Sequence, residues 1–156
     1  MIAYVAACAR GGVEAVALGA PTGPMGHIYR ALDFQQPYFD NGPGATIYPG
    51  FHVIAGLARL SGKPIRATNV SARGRIEAIA IRQEDSMVLW LANLTADVVE
   101  VKLPVQLETG SSIVILDAEA FERLTTLPSY LDTAGQNIRE ATIKLGAYAV
   151  ARIMTN

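Results

Sequence analysis

A glycine- and proline-rich loop in the first half of the chain is followed by two side chains that can bind a ligand. The loop reads Gly19-Ala20-Pro21-Thr22-Gly23-Pro24-Met25-Gly26; His27 comes directly after it and Tyr29 two residues later. An imidazole can exchange hydrogen bonds with a ligand hydroxyl, and a phenol can do the same while its ring stacks on the ligand. The loop is therefore the first place in the sequence to look for a binding site.

Phosphate binding does not fit this loop. A phosphate-binding P-loop ends in Gly-Lys-Ser or Gly-Lys-Thr, whereas this loop ends in Met25-Gly26-His27. Pro21 and Pro24 also lack the amide protons that such a loop directs at phosphate. We therefore expect no nucleotide cofactor here.

Other sets of catalytic residues are also missing from the sequence. Cys8 is the single cysteine, which excludes an internal disulfide and a multi-cysteine zinc site. His27 and His52 are 25 positions apart, a spacing that fits no compact metal-ligand motif. There is no Gly-x-Ser-x-Gly elbow to support a hydrolase triad. We expect no metal, no cofactor and no catalytic residue that a motif identifies.

The composition of the 156 residues excludes several classes of protein. Hydrophobic residues make up 51% and charged residues 17%, which is the balance of a folded chain. A net charge of −1 and the lack of a polybasic run argue against nucleic-acid and membrane binding. The apolar run Met1–Ala9 is shorter than the roughly 20 residues of a membrane span and lacks the basic start of a signal peptide. We expect a cytoplasmic protein.

The first half of the chain predicts alternating helices and strands. Ile2–Arg10 reads as an alanine-rich helix closed by Gly11-Gly12, and Val13–Leu18 as a strand that is apolar on both faces. Residues 27–46 hold a short helix and a turn-rich stretch. Pro49–Leu60 reads as a second helix with an apolar stripe, because Pro49 suits a first helical turn.

The second half of the chain predicts a β-sandwich. Met87–Leu91 is apolar throughout and reads as the central strand, while Asp117–Leu124 forms one or two helical turns. Short strands separated by turn residues are typical of sandwiches and barrels. The predicted strands are Ile65–Ala72, Arg75–Arg82, Met87–Asn93, Val98–Leu103, Ile113–Leu116 and Ala141–Ile153.

The two halves differ in charge, and the difference indicates how they are organised. Six charged residues lie in residues 1–60 and 21 in residues 61–156. A lone helix–strand–helix unit cannot cover both faces of its strand. We therefore predict a mainly β fold: an antiparallel β-sandwich over residues 63–156, preceded by an α/β segment, residues 1–62, that forms the last unit of a (β/α)8 barrel.

Four segments carry a resemblance to a known family. They resemble the last strand and helix of a barrel and two parts of the following sandwich: Gly12–Leu18, Tyr48–Leu57, Val88–Val101 with its Asn93-Leu94-Thr95 turn, and Leu145–Arg152. The arrangement is similar to the C-terminal part of glycoside hydrolases that join a (β/α)8 barrel to a β-sandwich. The arrangement is also similar to that of sugar-acid lactonases of the D-apionate lactonase type.

The resemblance implies a function for the parent protein and a limited one for this chain. Catalytic carboxylates of such enzymes lie on earlier barrel strands, so no catalytic residue is assigned here and the chain alone is expected to be inactive. It would brace a barrel that acts on a carbohydrate, with the rest of the barrel as its partner. The loop after the last strand borders the active site, so His27 and Tyr29 would bind substrate; the alternative is a tight connection with a surface histidine.

A second hypothesis is a free-standing carbohydrate-binding or self-assembling sandwich that associates through residues 1–60. Trp90 and Tyr148 could form a sugar-stacking platform, although Trp90 fits the sandwich core better. His52 is expected to be a hydrogen-bonded interface histidine. Asn69 and Asn93 begin N-glycosylation patterns, and we interpret both as ordinary strand-end residues.

Overall fold

In the computed structural model, the strands between Ile65 and Met154 form two antiparallel sheets, and three helices precede them. The structure describes residues 1–104 and 110–155. The helices are α1 (Ile2–Arg10), α2 (Pro37–Asn41), α3 (Gly50–Ala58), α4 (Phe121–Thr126) and α5 (Tyr130–Thr133). The strands are β1 (Ile65–Arg66), β2 (Ile76–Gln83), β3 (Ser86–Asn93), β4 (Val99–Lys102), β5 (Ser112–Leu116), β6 (Gln136–Asn137), β7 (Thr142–Leu145) and β8 (Val150–Met154).

The larger sheet has the strand order β1-β2-β3-β8-β5-β6, and β4 pairs with β7 in the smaller one. The central strand β3 pairs with β2 on one side and β8 on the other. Trp90 and Val88 face one hydrophobic cluster, whereas Leu89 and Leu91 face a second. Alternation along β3 thus joins two cores through one sheet, which confirms the mainly β fold and the central position of Met87–Leu91.

The first cluster is shared between the N-terminal helices and the large sheet. Ile2 and Ala6 of α1, with Val53 of α3, pack in the same cluster as Ile79 and Trp90 of the sheet. Each fully buried aliphatic or aromatic side chain of this kind contributes roughly 1.5–3 kcal/mol. Helices α1 and α3 therefore form a layer on the outer face of the large sheet, whereas the second cluster fills the space between the two sheets.

The predicted strand Val13–Leu18 is wrong for the described chain. These residues are extended but form no strand, and Val13, Glu14, Ala15 and Ala17 are exposed. A parallel strand needs neighbours for its backbone hydrogen bonds and covered faces for its side chains. Within residues 1–104 and 110–155, no strand lies beside this segment to supply either.

Other predicted elements are confirmed with changed boundaries. The helix predicted over Pro49–Leu60 runs from Gly50 to Ala58. The single strand predicted over Ala141–Ile153 is two strands, β7 and β8, because a turn interrupts it at Tyr148, whose φ is +53°. The strand predicted from Ile65 has only two residues. Among the described residues, no helix has the length and apolarity to cross a bilayer.

Candidate functional site

The loop of residues 19–48 is folded around His27. The His27 Nε2 atom lies 2.8 Å from the Leu18 carbonyl oxygen, and the His27 backbone amide donates to the Pro21 carbonyl at 3.1 Å. A Cβ atom at Gly19 would lie 2.6 Å from His27 Nε2, and one at Gly50 would lie 3.3 Å from Nδ1. The imidazole is therefore wedged between the end of the extended segment and the first residue of α3.

Tyr29 belongs to a second hydrogen-bond network in the same loop. Its hydroxyl donates to Asp40 Oδ1, and the Gln36 backbone amide donates to Asp40 Oδ2 at 2.6 Å. These two donors hold the pKa of Asp40 below its ordinary value, while the bond to Asp40 raises the pKa of Tyr29. Asp40 is thus an ionised acceptor with both oxygens engaged, which suits it to positioning Tyr29 and not to donating a proton.

Aromatic rings surround this network. Phe39 stacks on Tyr29 with ring centroids 5.4 Å apart, and its centroid is 4.5 Å from that of Tyr48. The Tyr48 hydroxyl donates to Gln36 Oε1. We call Tyr29, Phe39 and Tyr48 the loop aromatic cluster. Rings of this kind offer stacking faces for a ligand with apolar C–H surfaces, and their hydroxyls offer polar edges.

The sequence pointed to two residues of this loop and missed three. His27 and Tyr29 lie where they were predicted, after the Gly/Pro-rich segment, but they hydrogen-bond to different partners, Leu18 and Asp40. Their role in substrate binding stays a prediction. Gln36 and Phe39 were not singled out and Asp40 was assigned no role, since an 11-residue separation between Tyr29 and Asp40 fits no local pattern. The one available signal was Pro37, which marks the first turn of α2.

The remaining candidate residues are structural. His52 is 1% exposed, and its Nε2 lies 2.8 Å from the Leu124 carbonyl oxygen, so the expected hydrogen-bonded histidine is confirmed. Burial lowers the pKa of His52. Trp90 is 0% exposed, which confirms that it is a core residue, but it packs between the large sheet and the N-terminal helices and not between the two sheets. Tyr148 is exposed. The two rings therefore form no common stacking platform.

The two glycosylation patterns lie in different surroundings. Asn93 is buried, and its side-chain amide donates to the carbonyls of Asp97 and Gly146 at 2.6 and 2.7 Å. Asn69 is exposed and lies outside the strands. Asn93 is therefore a structural strand-end residue, as interpreted. In the part of the chain that the structure describes, no group of three or more His, Cys, Asp or Glu side chains is placed to hold a metal ion.

The fold is an antiparallel β-sandwich with helices α1 and α3 packed on the outer face of its larger sheet. Residues 73–153 match the family model of the D-apionate lactonase C-terminal immunoglobulin-like domain, and residues 1–62 match that of the D-apionate lactonase TIM barrel domain. The chain belongs to the D-apionate lactonase family. The resemblance stated from the sequence is confirmed.

A solved structure of a more distant protein shows the same fold. A GH30 endoxylanase from Clostridium papyrosolvens C71 matches with a TM-score of 0.51 and 14% identity, over 71% of this chain and 28% of that one. The trehalulose synthase MutB from Pseudomonas mesoacidophila MX-45 matches with a TM-score of 0.38 and 15% identity, over 60% of this chain and 14% of that one. The chain thus spans about a quarter of the endoxylanase. No curated protein matches it.

Proposed function

We propose that residues 1–62 form the last unit of a TIM barrel that hydrolyses a sugar-acid lactone, and that residues 63–156 brace this barrel without catalytic groups. The substrate class follows from the description of the family, whose named activity is that of a D-apionate lactonase. Catalytic groups would come from other parts of the barrel. The observation that carries the proposal is the core shared by α1, α3 and the large sheet.

Polar contacts support the bracing role because they tie the same helices to the sandwich. Arg10 at the end of α1 forms an ion pair with Glu77 of β2, with the nitrogen and oxygen 2.9 Å apart. His52 of α3 bonds to the Leu124 carbonyl of α4. The backbone amide of Thr46 donates to the Thr125 carbonyl at 2.9 Å. A barrel ending in these helices would be anchored to the sandwich on both sides of its last strand.

The segment between those helices supports the barrel assignment. Residues Val13–Leu18 are extended, largely exposed and apolar at five of six positions, Glu14 being the exception. Such a segment has the backbone and side chains of a parallel strand whose neighbours are absent from the described residues. Two adjacent barrel strands would bury it on both edges.

In this arrangement the loop aromatic cluster would lie at the catalytic end of the barrel. Loops that follow barrel strands form the active-site face of (β/α)8 enzymes. We propose that Tyr29, oriented by Asp40, stacks on or hydrogen-bonds to the sugar ring. His27, held between Gly19 and Gly50, would fix the loop and present its remaining ring edge to substrate.

Reconstitution tests this function directly. The full chain is mixed with a second polypeptide that carries the preceding TIM-barrel sequence of a D-apionate lactonase family member, and hydrolysis of the lactone of D-apionate is followed by acid release. We expect enzymatic rates from the mixture and none from the chain alone. Tyr29→Phe, which removes the hydroxyl, should lower kcat/KM in the mixture by about tenfold.

Val16→Pro supplies the structural control for reconstitution. It removes an amide donor from the proposed strand and should abolish activity of the mixture while leaving the urea midpoint of the chain nearly unchanged. Glu100→Gln, an exposed change on β4, should leave the activity intact. Lactone hydrolysis by the chain alone, or full activity with Val16→Pro, would contradict the proposal.

Self-association is the second candidate, favoured by exposed apolar residues of the barrel segment. Val13 is 50% exposed, Met25 74% and Phe34 56%. A second copy of the chain would cover them as a barrel would. Light scattering separates the two: a concentration-dependent dimer that Phe34→Ser dissociates favours self-association, and a monomer that binds the barrel polypeptide favours the first proposal.

A further inference from the structure

A concave region lies beside the end of α3 and shares no lining residue with the loop aromatic cluster. It is a cavity of about 380 Å³ between the end of α3, α5 and the helix-facing side of the large sheet. Its polar lining consists of Arg59, Gln83, Ser112, Asp132 and Arg152. None of these residues lies in the loop of residues 19–48.

Arg152 occupies an unusual position in this cavity. It lies on β8 directly opposite Trp90 on one neighbouring strand and Val114 on the other, and both of these are buried. One terminal nitrogen of Arg152 donates to the Leu131 carbonyl. Its Nε atom is buried, and no acceptor in residues 1–104 and 110–155 lies within hydrogen-bonding distance. A buried donor without an acceptor is costly, so a movement of the Arg152 side chain toward an acceptor in the cavity would be favoured.

Arg59 and Asp132 form the cavity rim. Arg59 Nη1 lies 2.7 Å from Asp132 Oδ1, and both side chains are about half exposed. The ion pair holds the pKa of Asp132 below its ordinary value, with Arg152 contributing to the same effect. Two guanidinium groups therefore face one carboxylate, and the charged lining carries one excess positive charge.

We propose that this cavity binds a small hydroxycarboxylate, with its carboxylate between Arg59 and Arg152 and its hydroxyls on Ser112 and Gln83. A guanidinium forms short, charge-assisted bonds with a carboxylate. The two neutral polar side chains can donate to and accept from hydroxyls. The volume is that of a small-molecule pocket, which ranges over about 300–1,000 Å³. This site does not depend on the proposed barrel function.

Calorimetric titration of the full chain with sodium D-gluconate tests the site, and sorbitol is the uncharged polyol control. We expect saturable binding of gluconate and none of sorbitol. Arg59→Gln should weaken gluconate binding by about tenfold, the effect of losing one charged hydrogen bond. Arg59 is the chosen position because it lies at the rim, whereas replacing Arg152 would disturb the middle of the sheet.

Asp132→Asn distinguishes a ligand site from a purely structural ion pair. The amide keeps an acceptor for Arg59 but removes the competing charge, so gluconate should bind about threefold more tightly. Asp97→Asn is the matched control, since it breaks the exposed pair with Arg75 at 3.8 Å, and it should leave binding unchanged. Equal affinities of the chain, Arg59→Gln and Asp132→Asn, or the absence of gluconate binding, would overturn the site. Tighter binding of inorganic phosphate than of gluconate would overturn the assigned ligand class.

Discussion

Two apolar runs of the chain, Val13–Leu18 and Met87–Leu91, lie in opposite environments. Met87–Leu91 is in β3, where ladders to β2 and β8 satisfy its backbone and two hydrophobic clusters cover its faces. Val13–Leu18 is extended and largely exposed, with no strand beside it in the described chain. An apolar run in the sequence therefore indicates a segment that is more stable when buried. Whether it is buried depends on the presence of neighbouring strands.

The helices on either side of Val13–Leu18 differ from it in the same way. Helices α1 and α3 flank the exposed segment in sequence, yet both pack on the sheet that contains β3. The barrel segment therefore has two parts. Its helices are stabilised by packing on the sandwich, whereas Val13–Leu18 makes few stabilising contacts with the described residues. We expect the energetic effect of a substitution to follow this division.

Removing the ring of Trp90 should have the largest effect. Trp90 is 0% exposed and faces the cluster shared with α1 and α3. Trp90→Ala should lower the free energy of unfolding by about 3–5 kcal/mol, because the cavity left in the sheet–helix core cannot fully collapse. Urea denaturation followed by circular dichroism measures this loss.

Phe34→Ala is the matched control in the other region. The Phe34 ring is 56% exposed, so its removal should change the free energy of unfolding by less than about 0.5 kcal/mol. Comparable losses for the two variants would show that residues 13–36 contribute to stability as much as the sheet does, and the contrast between the regions would fail.

Asn93→Ala should have the next largest effect. The Asn93 side chain joins the end of β3 to the turn before β8 through bonds to Asp97, Gly146 and the Thr95 amide, all between 2.6 and 2.9 Å. Its loss leaves buried polar groups without partners, so the free energy of unfolding should fall by about 2–3 kcal/mol. The exposed Asn69→Ala is the control and should stay close to the unchanged chain. A small effect at Asn93 would mean that water replaces the side chain.

Gly56→Ala tests how closely α3 approaches the sheet. A Cβ atom at Gly56 would overlap Trp90 Cζ2 and lie 3.0 Å from a methyl of Leu131. Overpacking of about 1–3 kcal/mol should exceed the roughly 1 kcal/mol gained by alanine in a helix, so the urea midpoint should fall. Gly146→Ala, where a Cβ meets open space, should not lower it. Stabilisation by Gly56→Ala would show that α3 is free to move away from Trp90.

The sandwich could be predicted from the sequence because its signals are local. Alternation in Val99–Leu103 and the apolar run in Met87–Leu91 each indicate a strand without knowledge of its neighbours. The pairing of β8 between β3 and β5 could not be predicted, since strand order depends on contacts between residues that are far apart in the chain. The turn between β7 and β8 was not predicted because it depends on the positive φ of Tyr148. A tyrosine in the sequence does not indicate that conformation.

The candidate site was predictable only in outline. The Gly/Pro-rich loop and its following His27 and Tyr29 are visible in sequence, because Gly and Pro mark irregular backbone. The partners that determine what these side chains can do, Leu18 for His27 and Asp40 for Tyr29, come from the folded path of the loop. Arg152 was not singled out either, since an arginine in an alternating strand normally indicates the solvent-facing side.

The smallest predicted effect is a pH dependence that originates at His52 in the shared core. Burial holds the pKa of the folded-state imidazole below its ordinary value of 6.5, so below that pH the unfolded chain binds a proton more readily than the folded one. The contribution of His52 to the free energy of unfolding should therefore be fully present above about pH 6.5. It should decrease as the pH falls below that value. Urea midpoints at pH 8 and pH 5.5 measure the decline, in a range where carboxylates remain ionised.

His52→Gln should flatten this pH dependence, because an amide can still donate to the Leu124 carbonyl but does not titrate. His27→Gln removes the other imidazole, the one in the exposed region, and should retain the decline. Since His52 lies 1% exposed between α3 and α4, its protonation places a charge in the shared core, and the cost of burying that charge lowers the stability. A decline that persisted in His52→Gln and vanished in His27→Gln would place the pH-sensitive contact in the loop and not in the core, reversing the division between the two regions.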